Sequence, residues 1–525
     1  MDGGIEVKSC RSMPPIALWR LALDTLVRGE VSGAAFVLVA RQAIIMGLSV
    51  ASSVAVSRWL GPDTVGRFAI LIFVTQGILG YFGDLGLKAS LIRKRGELSS
   101  KELATSQTII LVTSVFLASV IFAFLPWALR LTKLGPENYF PALVLLLLLI
   151  LRNQRMVPLA MLERAMNFKV VSAIEAIESV IYTILLITLA FLHRGIWCYL
   201  VAMAGRDLFG TLAFHLAASP PVRGFSWPSI RGHVGFSLIY QGAALLNMAT
   251  LAFPPIVIAR LMGKVAVGYV AWASALALYP LVICNAMTRI YLPAFSSAAS
   301  DLGILRARVE NSLRLNASIA WPICAVLGSL SAPIISTIFT TKWLPAQMML
   351  WAYCVTAAMT AVGLPLTELF FSQNDAWFNF RLCMFWTIPT WTLGTYSTLR
   401  YGLSGFAAFQ ATLQLGWLFA FWHAREVKGL KVFAPLLEPA VLVAAVVCAN
   451  LLLIRFVNMS SLARLAVAIV VEAGLCGAVL VRTLLRWARD KAIVSATEAR
   501  GCEGGELERR ALSVSSRVLS AVTGE

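Results

Sequence analysis

Arg58-Trp59-Leu60-Gly61, three further residues, then Val65-Gly66: this phrase decides the reading of the chain. It returns as Arg260-Leu261-Met262-Gly263, three residues, then Val267-Gly268. Arg, Gly, Val and Gly recur at a constant offset of 202 positions. Each copy follows one long apolar segment and precedes another. A phrase at the same place in two hydrophobic blocks points to a duplicated membrane unit. The order of apolar segments around each copy repeats as well.

Working outward, 59% of the residues are hydrophobic and 13% charged, against about 25% charged in a soluble domain. Many of the apolar runs reach the roughly 20 residues that cross a bilayer. So many full-length runs cannot all hide in one soluble core. The formal net charge of +18 does not imply nucleic acid, because the basic residues sit in short links between apolar runs. The nine Cys are scattered without a CxxC pair, and the four His (His193, His215, His233, His423) have no metal-ligand spacing. They predict neither disulfide frame nor metal site, and no cofactor is expected. Gly61–Gly66 and Gly263–Gly268 share the outer spacing of a phosphate loop. Neither continues with Lys and Ser or Thr, which argues against ATP.

The pattern predicts an all-α, polytopic membrane protein of about fourteen spans, in two parallel six-helix lobes plus two C-terminal helices. Residues 1–30 read as a cytoplasmic amphipathic segment, not an ordinary signal peptide. Residues 31–218 form the first lobe, with spans near 31–57, 68–87, 103–129, 139–162, 170–192 and 196–218. A cytoplasmic linker, 219–234, leads to the second lobe, 235–432. Its spans lie near 235–259, 266–292, 315–337, 345–371, 378–399 and 403–422. Two more spans fill 433–485, and 486–525 is a basic cytoplasmic tail. Lys88, Arg93, Lys94, Arg95 and Lys101, then Arg306, Arg308 and Arg314, crowd alternate links, which sets both termini in the cytoplasm. An even number of spans per lobe gives the lobes one orientation, with a cavity between them.

Several stretches resemble the polysaccharide-biosynthesis flippases of the multidrug, oligosaccharidyl-lipid and polysaccharide exporter superfamily. They are Arg58 to Pro62 with Gly66-Arg67-Phe68-Ala69, and Gly83-Asp84-Leu85-Gly86-Leu87 running into Ile92-Arg93-Lys94-Arg95. Leu162-Glu163-Arg164, Leu292-Pro293-Ala294-Phe295 and Lys342-Trp343-Leu344-Pro345-Ala346 add to it. The resemblance covers roughly residues 30–430. It implies a flippase, not an enzyme, that moves undecaprenyl-diphosphate-linked oligosaccharide units across the bacterial inner membrane. It further implies membrane lipid, polysaccharide polymerase and chain-length proteins as partners.

A charge at the bilayer centre costs about 2.5–3.5 kcal/mol on insertion scales, so it faces water or a partner. Arg41 lies about 15 Å into the first span at 1.5 Å per residue, and Arg206 is similarly deep in the sixth. Both are candidate ligands for a diphosphate, which Arg grips in a bidentate way; the alternative is a structural ion pair. Arg152 and Arg155 lie three apart on the fourth span, and Glu175 and Glu178 three apart on the fifth. Either the two pairs neutralise one another, or the arginines line the cavity and a carboxylate serves coupling or gating. Asp84 and Glu368, near cytoplasmic ends, are further gating candidates, although Asp84 also suits a cap in the Gly83–Gly86 turn. Pro158, Pro254-Pro255, Pro280, Pro322, Pro365 and Pro389 mark bends. Two other functions compete. A cation-coupled drug exporter would want acidic residues deep in the cavity. A membrane polysaccharide polymerase or ligase would want a sizeable outside loop.

Overall fold

The computed structural model describes residues 30–77, 98–219, 246–298, 301–373 and 375–456, and isolated positions besides. Of residues 30–44 it gives the backbone alone. Residues 41–476 form one compact unit. The expected amphipathic segment and tail, all but isolated positions of the inter-lobe linker and last span, Asp84, and the side chain of Arg41 lie outside the described residues.

Every regular element among the described residues is helical. In chain order these are α1 Glu30–Trp59, α2 Pro62–Ile72, α3 Ser100–Leu131, α4 Tyr139–Asn153, α5 Met156–Arg164, α6 Phe168–Phe191 and α7 Trp197–Ala218. Then follow α8 Leu246–Met262, α9 Lys264–Ser297, α10 Leu302–Ser329, α11 Gln347–Ser372, α12 Ala376–Leu413, α13 Trp417–Lys428 and α14 Leu437–Phe456. Among the described residues, six stretches are long and apolar enough to cross a membrane: Ser100–Leu131, Pro136–Arg164, Phe168–Phe191, Lys264–Ser297, Thr341–Ser372 and Ala434–Leu453. They match expected spans to within a few residues. The chain is thus an all-α, multi-pass membrane protein.

The span expected at 315–337 is different. It belongs to a longer helix, α10, which stops at Ser329 and resumes as Ser331–Phe339 after a 74° bend. Pro333, in the first turn of the resumed segment, has no N–H to offer the carbonyl of Ser329. The break expected between 399 and 403 falls at Gly402, whose φ of 65° and ψ of −148° interrupt α12.

The two copies of the opening phrase meet. α2 and α9 begin at Pro62 and Lys264, counterparts at the 202-residue offset. Gly66 sits against the carbonyl of Lys264 and the N–H of Gly268. Gly268 sits against the carbonyl of Pro62 and the N–H of Gly66. A Cβ at either position would collide with backbone, so only glycine permits the approach. Around this crossing Ile70, Leu71, Val267, Ala273, Ala277, Trp343 and Leu350 bury one continuous core.

Candidate functional site

A cavity of about 500 Å³ opens beside the crossing. Ser49, Ser52 and Ser53 of α1, Phe68 of α2, Tyr182 and Thr183 of α6, Arg206 of α7, and Trp272 and Tyr279 of α9 line it. Helical spacing places the α1 serines on one face. Ser52 satisfies its hydroxyl on Leu48 O (2.8 Å) and Thr183 Oγ1 (3.2 Å). Arg206 is the one charged side chain among the described residues on the wall.

Arg206 is about a quarter exposed, and its Nε donates to Oδ1 of Asp207 at 2.9 Å. The guanidinium also lies over the Tyr182 ring, 5.3 Å from its centroid. Asp207 itself is fully buried. Adjacent helical residues point about 100° apart, so the long arginine side chain folds back to reach its neighbour while its head stays on the wall.

Behind Arg206 lies a knot of charge within the helices. Arg155 pairs with Glu178 of α6; Glu178 is buried and Arg155 nearly so. The pair fits because residue 210 of α7 is glycine; a Cβ there would run into the Glu178 carboxylate and lie 2.8 Å from Arg155 Nη1. Arg152 has no hydrogen bond or ion pair among the described residues, although Arg206, Arg155, Asp207 and Glu178 all act on it electrostatically. Glu175, half-buried one turn before Glu178, interacts with it electrostatically.

The expectation that Arg152 and Arg155 share one helix face needs correction. α4 ends at Asn153 and α5 starts at Met156, so the helix is broken between them. Pro158 causes the break: it cannot donate to the carbonyl of Gln154. That carbonyl accepts instead from Gln107 Nε2 of α3 at 2.9 Å. The break separates the arginines' roles, one tied to Glu178 and one left open. Glu368 lies half-buried on α11 and is not among the charges acting on Arg152 or Glu178.

Sequence reading missed a second cluster, where the end of α1 meets the bent segment after α10. Arg58 donates to Ile338 O and Thr337 O, both at 2.7 Å. Lys342 Nζ returns to Arg58 O at 2.8 Å. The indole N–H of Trp343 donates to Ser57 O at 2.8 Å, and that of Trp272 to Ser57 Oγ at 3.0 Å. Lys264 and Asp63 add an exposed ion pair at 2.9 Å. The signal was present in the sequence, since Arg58 and Lys342-Trp343 fall in the phrases that carry the family resemblance.

Known structures share this fold. The lipid II flippase MurJ in an inward closed conformation superposes with a TM-score of 0.67 at 14% identity, over 87% of this chain and 99% of that one. An inward-facing multidrug resistance transporter of the MATE family, in the MOP superfamily, gives 0.58 at 17% identity, over 82% and 98%. The chain therefore has the fold of the MOP-superfamily membrane transporters. Among curated proteins it is 23% identical to the teichuronic acid biosynthesis protein TuaB of Bacillus subtilis, over 64% of this chain and 68% of that protein. It is 25% identical to the succinoglycan biosynthesis transport protein ExoT of Rhizobium meliloti, over 57% and 60%. It is 24% identical to the lipopolysaccharide biosynthesis protein WzxC of Escherichia coli, over 67% and 72%. The family described as "Polysaccharide biosynthesis protein" matches residues 55–348, a stretch that holds both copies of the repeated phrase. The chain belongs to that family.

Proposed function

We propose that the chain is a flippase for polyprenyl-diphosphate-linked oligosaccharide units, working by alternating access in the bacterial inner membrane. The observation that carries this reading is Arg206, a partly exposed cation on the wall of a cavity among membrane helices. Asp207 meets the guanidinium through Nε alone, and the remaining N–H groups of the head can match a diphosphate in shape and charge. The serines, threonine and aromatic rings of the same wall suit sugars, through hydroxyl hydrogen bonds and ring stacking. Arg41 extends the positive character of the wall, Arg152 and Arg155 stand behind it as charges that balance the buried carboxylates, and Glu175, Glu178, Asp84 and Glu368 are the groups for coupling or gating.

In this reading fourteen spans form two parallel lobes plus a C-terminal pair, with both termini in the cytoplasm. The repeated phrases then lie at the outer face, and their mutual contact closes that face. Opening it requires α2 and α9 to part, which rocks one lobe against the other. The lipid tail stays in the bilayer, and the flipped unit passes to a polysaccharide polymerase and chain-length proteins. A cation exporter would instead want a carboxylate on the wall, and the described wall presents an arginine.

The test is transport in proteoliposomes of the full chain, with a fluorescent polyprenyl-diphosphate oligosaccharide inside and a quencher outside. Wild type should expose the label over time. Arg206→Ala, reconstituted at equal amount, should be at least about tenfold slower, the scale expected for one charge-assisted contact. Equal rates for both proteins, or export of a cationic dye in place of the lipid, would refute the proposal.

A further inference from the structure

The two oxygens of Asp207 are treated differently. Oδ1 accepts from Arg206 at 2.9 Å, while Oδ2 is buried with no hydrogen-bond partner among the described residues. A buried charged oxygen left unpaired is a cost that the surroundings normally relieve. The charges facing this carboxylate come from several elements. They are Arg206 beside it, Arg152 at the end of α4, and Glu178 and the Tyr182 phenol on α6. Arg155, just before α5, is held by Glu178. Arg152 has no hydrogen bond among the described residues, and it lies where α7 packs on the end of α4: the Thr211 hydroxyl, one turn beyond Asp207, donates to the neighbouring Leu151 O at 3.2 Å. With Glu178 committed to Arg155, the site is left with one carboxylate, Asp207, two arginines it can serve, and an open valence on each of the two deeper groups.

We propose that Asp207 is a transferable counter-ion, paired with Arg206 when the cavity is empty and with Arg152 when an anionic phosphate occupies Arg206. The exchange requires the Asp207 side chain to turn from Arg206 toward the end of α4. No proton moves and no bond forms or breaks; an ion pair is traded for another. Because a buried charge left without a partner is strongly destabilising, the presence of Arg152 is what lets Asp207 leave. Because Asp207 competes for Arg206, the anion is held less tightly than an arginine without a counter-ion would hold it. That weakening permits release on the far side, as transport requires of any intermediate. The inference rests on the reading of the cavity as a diphosphate site. It adds a residue that touches no substrate and sets how strongly the substrate is kept.

The experiment is equilibrium binding to the full chain in lipid nanodiscs, with geranylgeranyl diphosphate as probe and geranylgeraniol as its uncharged control. Wild type should bind the diphosphate in preference to the alcohol, and Arg206→Ala should lose that preference. Failure of this arm would overturn the cavity reading and the inference together. With that arm satisfied, Asp207→Asn should bind the diphosphate about tenfold tighter, as expected when a competitor worth one moderate ion pair is removed. The charge-balanced double variant Arg152→Gln/Asp207→Asn keeps the net charge of the cluster and guards against misfolding of the single one. It should bind as tightly as Asp207→Asn, since Arg152 has no task once residue 207 is neutral. Unchanged or weaker binding by Asp207→Asn, or a double variant weaker than wild type, would overturn the counter-ion and leave the cavity reading intact. The first result removes the competition; the second makes Arg152 a direct ligand.

Discussion

Gly66 and Gly268, the same position of the two repeats, face each other backbone to backbone, and each lies on a carbonyl at the first turn of the other's helix. Pro62 and Lys264, which supply those carbonyls, are also counterparts. The contact therefore exchanges with itself when the repeats are exchanged, as in an isologous interface. A duplicated chain reaches this arrangement cheaply, because one sequence solution serves both sides.

Alanine at either glycine should therefore be costly. The atoms in the way are backbone at a helix start, which cannot swing aside as a flexible side chain would. Gly66→Ala or Gly268→Ala should each destabilise the chain by roughly 1–3 kcal/mol, the usual range for overpacking. The double variant should cost less than the sum, because both changes open one seam. Gly61→Ala is the control, for it has open space around it. Thermal unfolding of the four proteins in detergent reads the series, and additivity of the two glycine changes would show that they do not share a contact.

Trp343 should be the most sensitive residue of the α1 seam. It is fully buried, stacks on Trp272 with centroids 5.1 Å apart, and hydrogen-bonds Ser57 O. Trp343→Phe keeps much of the packing but orphans the carbonyl, and should cost about 1–3 kcal/mol. Trp343→Ala adds a cavity and should reach roughly 3–5 kcal/mol. Melting temperatures compared at equal detergent check both, and a Phe variant as stable as wild type would mean that the hydrogen bond contributes nothing.

What the sequence made legible is what chain-local physics controls. Apolar length marks a span whatever lies next to it, so the stretches at Ser100–Leu131 and Phe168–Phe191 were readable to a few residues. Deep charges were readable too, since an arginine amid leucines needs a reason. The choice of partner was not. Nothing local tells Glu178 to take Arg155 over Arg152; that depends on the break which Pro158 makes and on the space above Gly210. The proline was visible as a bend, but the effect of a bend on a side chain three residues earlier is a tertiary matter. The bond from Trp343 to Ser57 joins residues 286 positions apart, beyond any periodicity. The 74° turn after Ser329 was hidden for a related reason: Pro333 stops the helix inside an apolar run that hydropathy reads as continuous.

The Arg155–Glu178 pair gives a third prediction. Glu178 is buried and Arg155 nearly so, so removing one leaves the other uncompensated, a loss of about 3–5 kcal/mol for Glu178→Gln. Gly210→Ala should be felt at the same place, because its new methyl meets the Glu178 carboxylate. In a Glu178→Gln background the glycine change should matter less, the shorter reach of repulsion being relieved by a neutral amide that can turn away. Unfolding midpoints of the two single variants and the double variant test the coupling. Strict additivity would separate the sites.

Tyr182 decides whether Arg206 is held in place or merely present. Its ring lies under the guanidinium at 5.3 Å, in the wall of the cavity and away from the Asp207 hydrogen bond. A cation over an aromatic face is worth about 0.5–2 kcal/mol, more where water is scarce. Tyr182→Phe keeps the ring and should change the apparent KM of flipping little. Tyr182→Leu keeps bulk and apolarity but removes the quadrupole, so Arg206 samples more rotamers and substrate binding must order it. The apparent KM should then rise about threefold to tenfold, following that energy range, while protein level and melting temperature stay near wild type. A Leu variant that matches Phe in KM would mean that Asp207 alone orients the arginine.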